Sequence, residues 1–253
     1  MEKQSNYSCD VMEVCLLAGK IMLQSGAETY RVEDTMVRIA ESLGGKESHS
    51  YVTPTGIIFS IESEESTKTK LIRITDRTTD LQKVTEVNSI SRSISRKELS
   101  LEEAFRALKE IEGAKLTYSV LVRTLAAAIA SGCFVIMFKG TWYDFFPAFI
   151  AGGLGLLSVI FFQRLVPIKF FAEFLSSMVI GLVSLLFVNI GWGLEADKII
   201  IGSVMPLVPG LLLTNAVRDL MAGHLVSGLS KGAEALLTAF AIGSGIAVVL
   251  SLS

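Results

Sequence analysis

The most constraining feature of this sequence is the uneven distribution of its charged side chains. Residues 118–253 carry only 7 of the 23 Lys and Arg residues and 6 of the 25 Asp and Glu residues. The same region contains apolar runs close to the length that crosses a lipid bilayer. It is therefore predicted to be embedded in a membrane, whereas residues 1–117 have the mixed charge and periodic apolar pattern of a soluble domain.

Residues 1–117 are predicted to form a small α+β domain. Apolar positions at helical spacing predict four helices, over about 11–22, 27–43, 80–94 and 101–112. Alternating apolar residues over 57–61 predict a strand, and residues 71–75 could pair with it as a hairpin. Ser100 and Glu103 have the spacing of a capping box at the start of the last helix. The net charge of −3 (16 basic minus 19 acidic residues) gives no indication of nucleic-acid binding.

Residues 118–253 are predicted to form five transmembrane helices. Their expected bounds are 118–138, 143–162, 168–190, 198–216 and 233–252. With the N-terminus inside, the inner loops contain Arg164, Lys169, Arg218 and Lys231, and the outer loops contain Lys139 and Lys198. This excess of inner basic residues, with a polar N-terminus that lacks a signal sequence, favours the cytoplasmic (inner) membrane, surrounded by lipid, with a cytoplasmic N-terminus and an external C-terminus.

The fourth predicted span contains a helix-breaking sequence. Pro206, Pro209 and Gly210 occur within five positions, and the two prolines remove two backbone donors. Transporters use such broken helices because a half-helix N-terminus presents free N–H groups to anionic substrates. The span is therefore predicted to break at Pro206–Gly210 and to line a substrate path. The alternative is a proline kink that only shapes packing.

Charged residues on or beside the predicted spans are further candidates. Asn215, Arg218 and Asp219 fall on one helical face, where they could form a gate or bind a carboxylate. They could equally be an interfacial anchor and its counter-charge. Arg123 lies inside the first span, where a central arginine costs on the order of 3 kcal/mol. It is expected either to extend to the interface or to pair with an acidic residue such as Glu234 or Glu173.

In the soluble domain, Glu28 and Arg31 are i,i+3 partners at a predicted helix start. From the residues alone, this segment is more typical of a solvated helix start than of a site. The histidines and cysteines lack the spacing of metal ligands, so no metal and no cofactor are expected. Ser227, His224 and Asp219 could be arranged as a hydrolytic triad, but no nucleophile elbow accompanies them, so no catalytic residue is predicted and the chain is not expected to be an enzyme.

Two blocks of sequence resemble the threonine/serine exporter family. The first is Leu23–Thr35, which reads LQSGAETYRVEDT. The second block runs through Pro206-x-x-Pro209-Gly210, Asn215-Ala216-x-Arg218-Asp219, Ser227-Gly228 and Glu234-Ala235-Leu236-Leu237. Both blocks occur in the family's order, and the resemblance covers nearly the whole chain. His224 stands where the family often has an acidic residue.

The resemblance implies export of small polar metabolites, typically threonine and serine, or of dicarboxylates such as succinate in two-subunit relatives. The motif residues it implies are Gly26, Glu28, Thr29, Arg31 and Glu33, then Pro206, Pro209, Gly210, Asn215, Arg218, Asp219 and Glu234. Single-chain members have a second membrane half, which this chain lacks. The chain is therefore expected to be the larger subunit of a split transporter with a small hydrophobic membrane partner, or else a homo-oligomer.

Together these features predict a secondary exporter that works by alternating access around the broken fourth span. Arg218 and the half-helix that begins near Leu211 would attract the substrate carboxylate, and Asn215 would hydrogen-bond it. Asp219 or Glu234 could take a coupling proton, a role suggested by acidity and position. The alternative is a membrane-tethered sensor whose soluble domain binds a metabolite without transport.

Overall fold

The computed structural model describes residues 2–45, 47–62, 67–114, 117–166, 168 and 170–252. Lys169, one of the predicted loop charges, lies outside the described residues. The described chain divides into two compact units. One, here called the α/β unit, comprises Met1–Thr117 and Leu211–Gly232. The other, here called the helical unit, comprises Tyr118–Gly210 and Ala233–Ser253.

In chain order, the first part of the α/β unit has two helices, then three strands, then two more helices. Its elements in chain order are α1 (Glu2–Gln24), α2 (Thr29–Ser42), β1 (Glu47–Thr53), β2 (Gly56–Glu62), β3 (Thr67–Arg73), α3 (Leu81–Ser95) and α4 (Leu101–Gly113). Strand β2 is central in an antiparallel sheet of order β1-β2-β3. Its alternating residues Ile57, Phe59 and Ile61 are buried, as their spacing predicts. The hairpin partner is confirmed, since Leu71 pairs with Ile58.

The core of the α/β unit is made by the inner faces of α1, α2, α3 and α4 together with the buried face of the sheet. Met22, Met36, Ile39 and Phe59 are fully buried within it. The predicted capping box at Ser100 is confirmed, with the hydroxyl of Ser100 accepting from the backbone N–H of Glu103. Burial of the apolar core side chains is the main stabilising contribution to the unit.

The remaining helices are α5 (Val120–Met137), α6 (Trp142–Leu165), α7 (Phe171–Asn189), α8 (Ala196–Val204), α9 (Gly210–Met221) and α10 (Leu225–Ser251). Within the residues that the structure describes, α5, α6, α7 and α10 are long and apolar enough to span a membrane. A fifth span is present if α8 and α9 count as one broken span. These assignments rest on length and composition.

The helix is interrupted at the two prolines, as the sequence predicts. After α8, Met205–Leu207 forms a single 3₁₀ turn, Val208 is extended, and α9 begins at Gly210. The helices on either side are bent by 60°. Proline lacks a backbone N–H and clashes with the preceding turn of a helix, so Pro206 and Pro209 account for the interruption.

Close helix packing in the helical unit depends on glycine. A Cβ atom on Gly132 of α5 would lie 2.7 Å from the ring of Phe145 on α6. A Cβ atom on Gly155 of α6 would lie 2.5 Å from Ile180 on α7. Membrane helices approach closely where such small residues occur, so these contacts fix the spacing of α5, α6 and α7.

In the helical unit, the side chain of Asp144 accepts hydrogen bonds at the start of α6 and at the start of α8. Its fully buried carboxylate accepts from the hydroxyl of Thr141 at 2.6 Å, at the start of α6. It also accepts from the backbone N–H groups of Leu194 (2.7 Å) and Glu195 (3.2 Å), just before α8. Helix N-termini leave such N–H groups without partners, and the carboxylate satisfies them.

Two sequence-based boundaries differ from the structure. The fifth span was predicted from residue 233, but α10 begins at Leu225. Arg218 and Lys231 were expected in loops, but they lie in helices α9 and α10. Helix α10 begins before the apolar run does, because its first residues, Leu225–Gly232, belong to the α/β unit.

Candidate functional site

The turn between α1 and α2 positions the first motif. Gly26 has a left-handed backbone, with φ of +88°, which glycine adopts without side-chain strain. The backbone N–H of Thr78 donates to the carbonyl of Gln24 at 2.7 Å and anchors the turn. Glu28 then occupies the N-cap position of α2 in an extended conformation, and Thr29 is the first helical residue. The side chains of Glu28 and Thr29 are thereby fixed at the start of α2.

The second motif lies on α9 and the first turns of α10. Helix α9 buries Asn215, Ala216 and Asp219. The two helices pack tightly, since a Cβ atom on Gly228 of α10 would lie 2.9 Å from the carbonyl oxygen of Ala216. The part of this helical hairpin that lies in the α/β unit is Leu211–Gly232. Asn215 and Asp219 therefore lie inside the same compact unit as the first motif.

Asp219 supplies the missing N-terminal cap of α2. Its Oδ1 accepts from the backbone N–H of Thr29 and its Oδ2 from the hydroxyl of Thr29, both at 2.9 Å. Glu28, the N-cap residue, makes no capping hydrogen bond with its own side chain. A carboxylate at a helix N-terminus satisfies an unpaired N–H and is stabilised by the helix dipole. Asp219 does this from 190 residues away in sequence.

Lys231 neutralises Asp219 inside the unit. Its ammonium donates to Oδ2 of Asp219 at 2.7 Å, to the hydroxyl of Thr29 at 3.2 Å and to the carbonyl of Ala27 at 3.4 Å. The side chains of Lys231 and Asp219 are 4% and 0% exposed. A charge this deeply buried is stable only when it is paired and hydrogen-bonded, and both conditions are met here.

Two arginines converge on one buried carboxylate beside this pair. Arg218 contacts Oε1 of Glu28 at 2.5 Å, and Arg31 contacts Oε2 at 3.1 Å. Burial alone would raise the pKa of Glu28, but hydrogen bonds from its backbone and from Arg218, with the charge of Arg31, outweigh it and lower that pKa. Glu28 is 7% exposed, whereas Arg218 and Arg31 are 55% and 40% exposed. The carboxylate is therefore ionised, and both arginine side chains are partly exposed to solvent.

Asn215 completes the contact with the α1–α2 turn. Its side-chain amide donates to the carbonyl of Gly26 at 2.8 Å, and Asn215 itself is buried. The carbonyls of Gly26 and Ala27 thus both accept from the second motif. An unsatisfied buried carbonyl would be destabilising, so this contact stabilises the turn as well as α9.

A second set of contacts links α2, β1 and α10. Glu33 on α2 accepts from the backbone N–H of Val52 at 2.8 Å, and the hydroxyl of Ser227 donates to the carbonyl of the same Val52 at 3.1 Å. His224 Nδ1 lies 3.7 Å from Oε1 of Glu33. Burial raises the pKa of Glu33, and the negative charge of Asp219 raises it further, against the opposing effects of Val52 and His224.

The structure brings most of the predicted site residues together. We call this group the motif cluster. It consists of Gly26, Glu28, Thr29, Arg31 and Glu33 with Asn215, Arg218, Asp219, His224, Ser227 and Lys231. The other predicted residues, Pro206, Pro209, Gly210, Arg123 and Glu234, belong to the helical unit. Arg123 lies on α5 with its side chain exposed.

Sequence reasoning missed the roles of Lys231, Ser227 and His224. Lys231 was counted only as a loop charge, although a lone lysine within an apolar helix is a signal for a buried partner. Ser227 was named within the second motif block, His224 as a departure from the family, and both as possible members of a triad with Asp219, but their contacts with Val52 and Glu33 were not predicted. In the structure the hydroxyl of Ser227 is bound to Val52 and the carboxylate of Asp219 to Thr29 and Lys231, so the three side chains do not form that triad.

Two arginines of the motif cluster share one carboxylate and leave a net positive charge beside it. Among the residues that the structure describes, no group of three or more His, Cys, Asp and Glu side chains could hold a metal ion. Arg218, Arg31 and Glu28 together carry a net charge of +1 when all three are ionised. Guanidinium groups bind carboxylates through paired hydrogen bonds, so this part of the cluster can bind a small carboxylate.

Several known proteins are similar to this chain over most of its length. It is 25% identical over 255 residues to the "Probable succinate transporter subunit YjjP" of Klebsiella aerogenes, covering 100% of this chain and 97% of that protein. It is 26% identical to the Escherichia coli protein of the same name, covering 98% and 97%. It is 24% identical to the "Threonine/serine exporter" of Corynebacterium glutamicum, covering 96% of this chain but 51% of that protein. No solved structure matches the chain significantly.

The family comparison covers nearly the whole chain, including both motif blocks. Residues 13–253 match the family described as "Putative threonine/serine exporter". The match includes the α1–α2 turn, the break after α8 and the hairpin of α9 and α10. The chain therefore belongs to the threonine/serine exporter family.

Proposed function

We propose that this protein exports small carboxylate-bearing metabolites across the cytoplasmic membrane. Membership of the exporter family and the presence of several helices apolar enough to span a membrane support a multi-pass exporter. The N-terminus is cytoplasmic and the C-terminus external in this proposal, which rests on the distribution of basic residues.

The observation that carries the proposal is the shared carboxylate of Glu28. Arg218 and Arg31 bind its two oxygens from opposite motif blocks. Each guanidinium has five N–H donors, so the exposed parts of both side chains retain donors after pairing with Glu28. A substrate carboxylate can bind to these donors, with Glu28 holding both arginines in place.

The two substrate classes named for the relatives would use this site differently. A dicarboxylate such as succinate can pair one carboxylate with each arginine. Threonine or serine has one carboxylate and one ammonium group, and the ammonium group needs an acceptor such as Glu28. Both classes share the carboxylate that the arginines bind, so we propose small carboxylates as the substrate class.

We propose that transport requires a second membrane protein. The chain covers 97% of a relative that is itself named a subunit, but only 51% of a relative named as an exporter. A small hydrophobic membrane subunit would supply the part that the longer relative has in addition. Assembly of several copies of this chain is the competing arrangement, and the same assay separates the two.

The break after α8 fits an alternating-access mechanism in this proposal. Pro206 and Pro209 remove backbone donors, so the segment lacks the regular hydrogen bonds that keep a helix straight. Leu207 packs against Ile200, Val204 and Ile242, so a change of bend would have to occur at the end of the segment, near Pro209 and Gly210. We propose that the segment Pro206–Gly210 is the hinge around which α9 moves.

The test is metabolite efflux from cells loaded with threonine-containing dipeptides or with succinate. Cells would express this chain alone, or with the small hydrophobic membrane protein encoded beside it. Efflux only with both chains supports the split exporter, and efflux with this chain alone supports a homo-oligomer. Confirmed insertion of both chains with no efflux of either substrate, but with metabolite binding, would overturn the proposal in favour of a sensor.

A further inference from the structure

An acid and a histidine face each other at the edge of the motif cluster. Oε1 of Glu33 lies 3.7 Å from Nδ1 of His224, and their side chains are 19% and 24% exposed. The same oxygen accepts from the backbone N–H of Val52 at 2.8 Å. The pair is thus partly shielded from water, yet close enough to the surface to exchange a proton with it.

The charges nearest this pair belong to the motif cluster. Helix α9 presents Asp219, whose negative charge acts on Glu33, and α10 presents Lys231, which is bound to Asp219 at 2.7 Å. Strand β1 presents the backbone N–H of Val52. Glu28, Arg31 and Arg218 are the remaining charged side chains of the cluster. With His224 neutral, the three acidic and three basic side chains of the cluster cancel, and one added proton brings the net charge to +1.

Asp219 is poorly placed to accept that proton. Its two oxygens are occupied by the backbone N–H and hydroxyl of Thr29 and by the ammonium of Lys231. Protonation of Asp219 would leave Lys231 as an unpaired buried charge, which is strongly unfavourable. Glu33 and His224 can accept a proton without breaking such a pair, since either can hold it and donate towards the other.

We propose that Glu33 and His224 together bind the one proton that couples or regulates transport in this protein. The inference rests on the proposed exporter function and assigns the proton to a site beside the carboxylate-binding arginines. The proton comes from water and returns to water, and only an N–H or O–H bond forms and breaks. Histidine is the side chain whose charge ordinarily changes between about pH 5 and pH 8, which suits this role.

Binding of the proton would change the contacts between α2 and the α9–α10 hairpin. A protonated His224 attracts the carboxylate of Glu33 and forms an ion pair that holds α2 against the hairpin. Ser227 and Glu33 already hold Val52 from both sides, through its carbonyl and its N–H. Loss of the proton removes the ion pair and leaves only the hydrogen bonds of Ser227 and Glu33 to Val52. The proton thus controls how firmly the two motif blocks are joined.

The first test is the pH dependence of efflux in vesicles that contain the complete transporter. Wild-type efflux should change on the order of five-fold between about pH 6 and pH 8, and Glu33→Gln and His224→Gln should reduce that change to less than about two-fold. The control is His49→Gln, because His49 also lies near a carboxylate, at 3.4 Å from Glu47, but is 69% exposed. Unchanged pH dependence in both pair variants would overturn the inference.

The second test reads the proton directly and does not depend on transport. The chain contains two histidines, so imidazole-labelled full-length protein gives two NMR signals, which His49→Gln assigns. In Glu33→Gln the imidazole signal of His224 should change position, because the carboxylate 3.7 Å from its Nδ1 is gone. The His49 signal should stay where it is, since His49 lies near Glu47 instead. A His224 signal unaffected by Glu33→Gln would contradict the pair even if efflux is observed, whereas absent wild-type efflux with a His224 signal that responds to Glu33→Gln would contradict only the exporter function.

Discussion

Asp219 and Lys231 form a buried ion pair that joins both motif blocks. The two groups meet at 2.7 Å with side chains 0% and 4% exposed, and the carboxylate of Asp219 also caps α2 through Thr29. The family motif at this position therefore stabilises the fold. It closes the α9–α10 hairpin onto the start of α2, and this arrangement sets the positions of Arg218 and Glu28.

A double-mutant cycle tests this pair. Lys231→Met leaves Asp219 as an unpaired buried charge and should lower the free energy of unfolding by about 3–5 kcal/mol. Adding Asp219→Asn removes that charge and should recover much of the loss. Thermal or denaturant unfolding of the full chain in detergent measures both. If the double variant is no more stable than Lys231→Met, the coupling inferred from the geometry is absent.

The left-handed backbone of Gly26 should make this position intolerant of a side chain. Gly26→Ala forces an L-residue into φ of +88° and should cost about 1–2 kcal/mol of stability. Gly44→Ala is the matched control, since Gly44 has φ of +89° at the end of α2, away from the cluster. Both variants should unfold more readily, but only Gly26→Ala should also reduce export. Equal export by the two variants would argue against a functional role for the turn.

The break after α8 predicts a requirement for its prolines. Pro206→Ala combined with Pro209→Ala restores two backbone donors and favours a straighter helix, so export should fall while stability is kept or rises. Pro147→Ala is the control, because Pro147 lies inside α6. Export and thermal unfolding would be measured on each. Full export by the double variant would show that the segment only shapes packing.

The raised pKa of Glu33 predicts how stability depends on pH. The folded state holds this proton more tightly than the unfolded state, so the contribution of Glu33 is greatest at acid pH and is lost as the pH rises through its folded-state pKa. Glu33→Gln keeps the acceptor for Val52 and removes the titration. Its Tm relative to wild type should therefore increase as the pH rises above the ordinary carboxyl range. Glu41→Gln, at an exposed position of α2, should show no such trend.

The fold could be predicted where apolar residues repeat regularly. Strand β2 and helices α2, α3 and α4 follow such repeats, and the break at Pro206–Gly210 follows from the missing backbone donors. Strand β1 could not be predicted, because it is an edge strand in which Val52 is the only fully buried residue. The early start of α1 at Glu2 could not be predicted either, because its first residues are polar and show no apolar repeat.

The site could be predicted as two separate motifs but not as one cluster. Glu28 and Arg218 lie 190 residues apart in sequence, and neither residue shows from its own neighbours that the other is its partner. Periodicity describes contacts within a helix, such as that of Glu28 with Arg31, which was predicted and is present. Contacts such as that of Asp219 with Thr29 depend on tertiary packing, and local spacing carries no information about them.

The most direct test of the account is export by Arg218→Gln, measured in proteoliposomes that contain this chain and its proposed partner. The variant should fold and assemble, because Glu28 keeps its contact with Arg31, but it should lose most efflux of the transported carboxylate. Arg38→Gln is the matched control, since Arg38 is an exposed arginine of α2 paired with Asp34. The account predicts wild-type efflux for Arg38→Gln and little or none for Arg218→Gln. Wild-type efflux by Arg218→Gln would contradict the claim that this arginine binds the substrate.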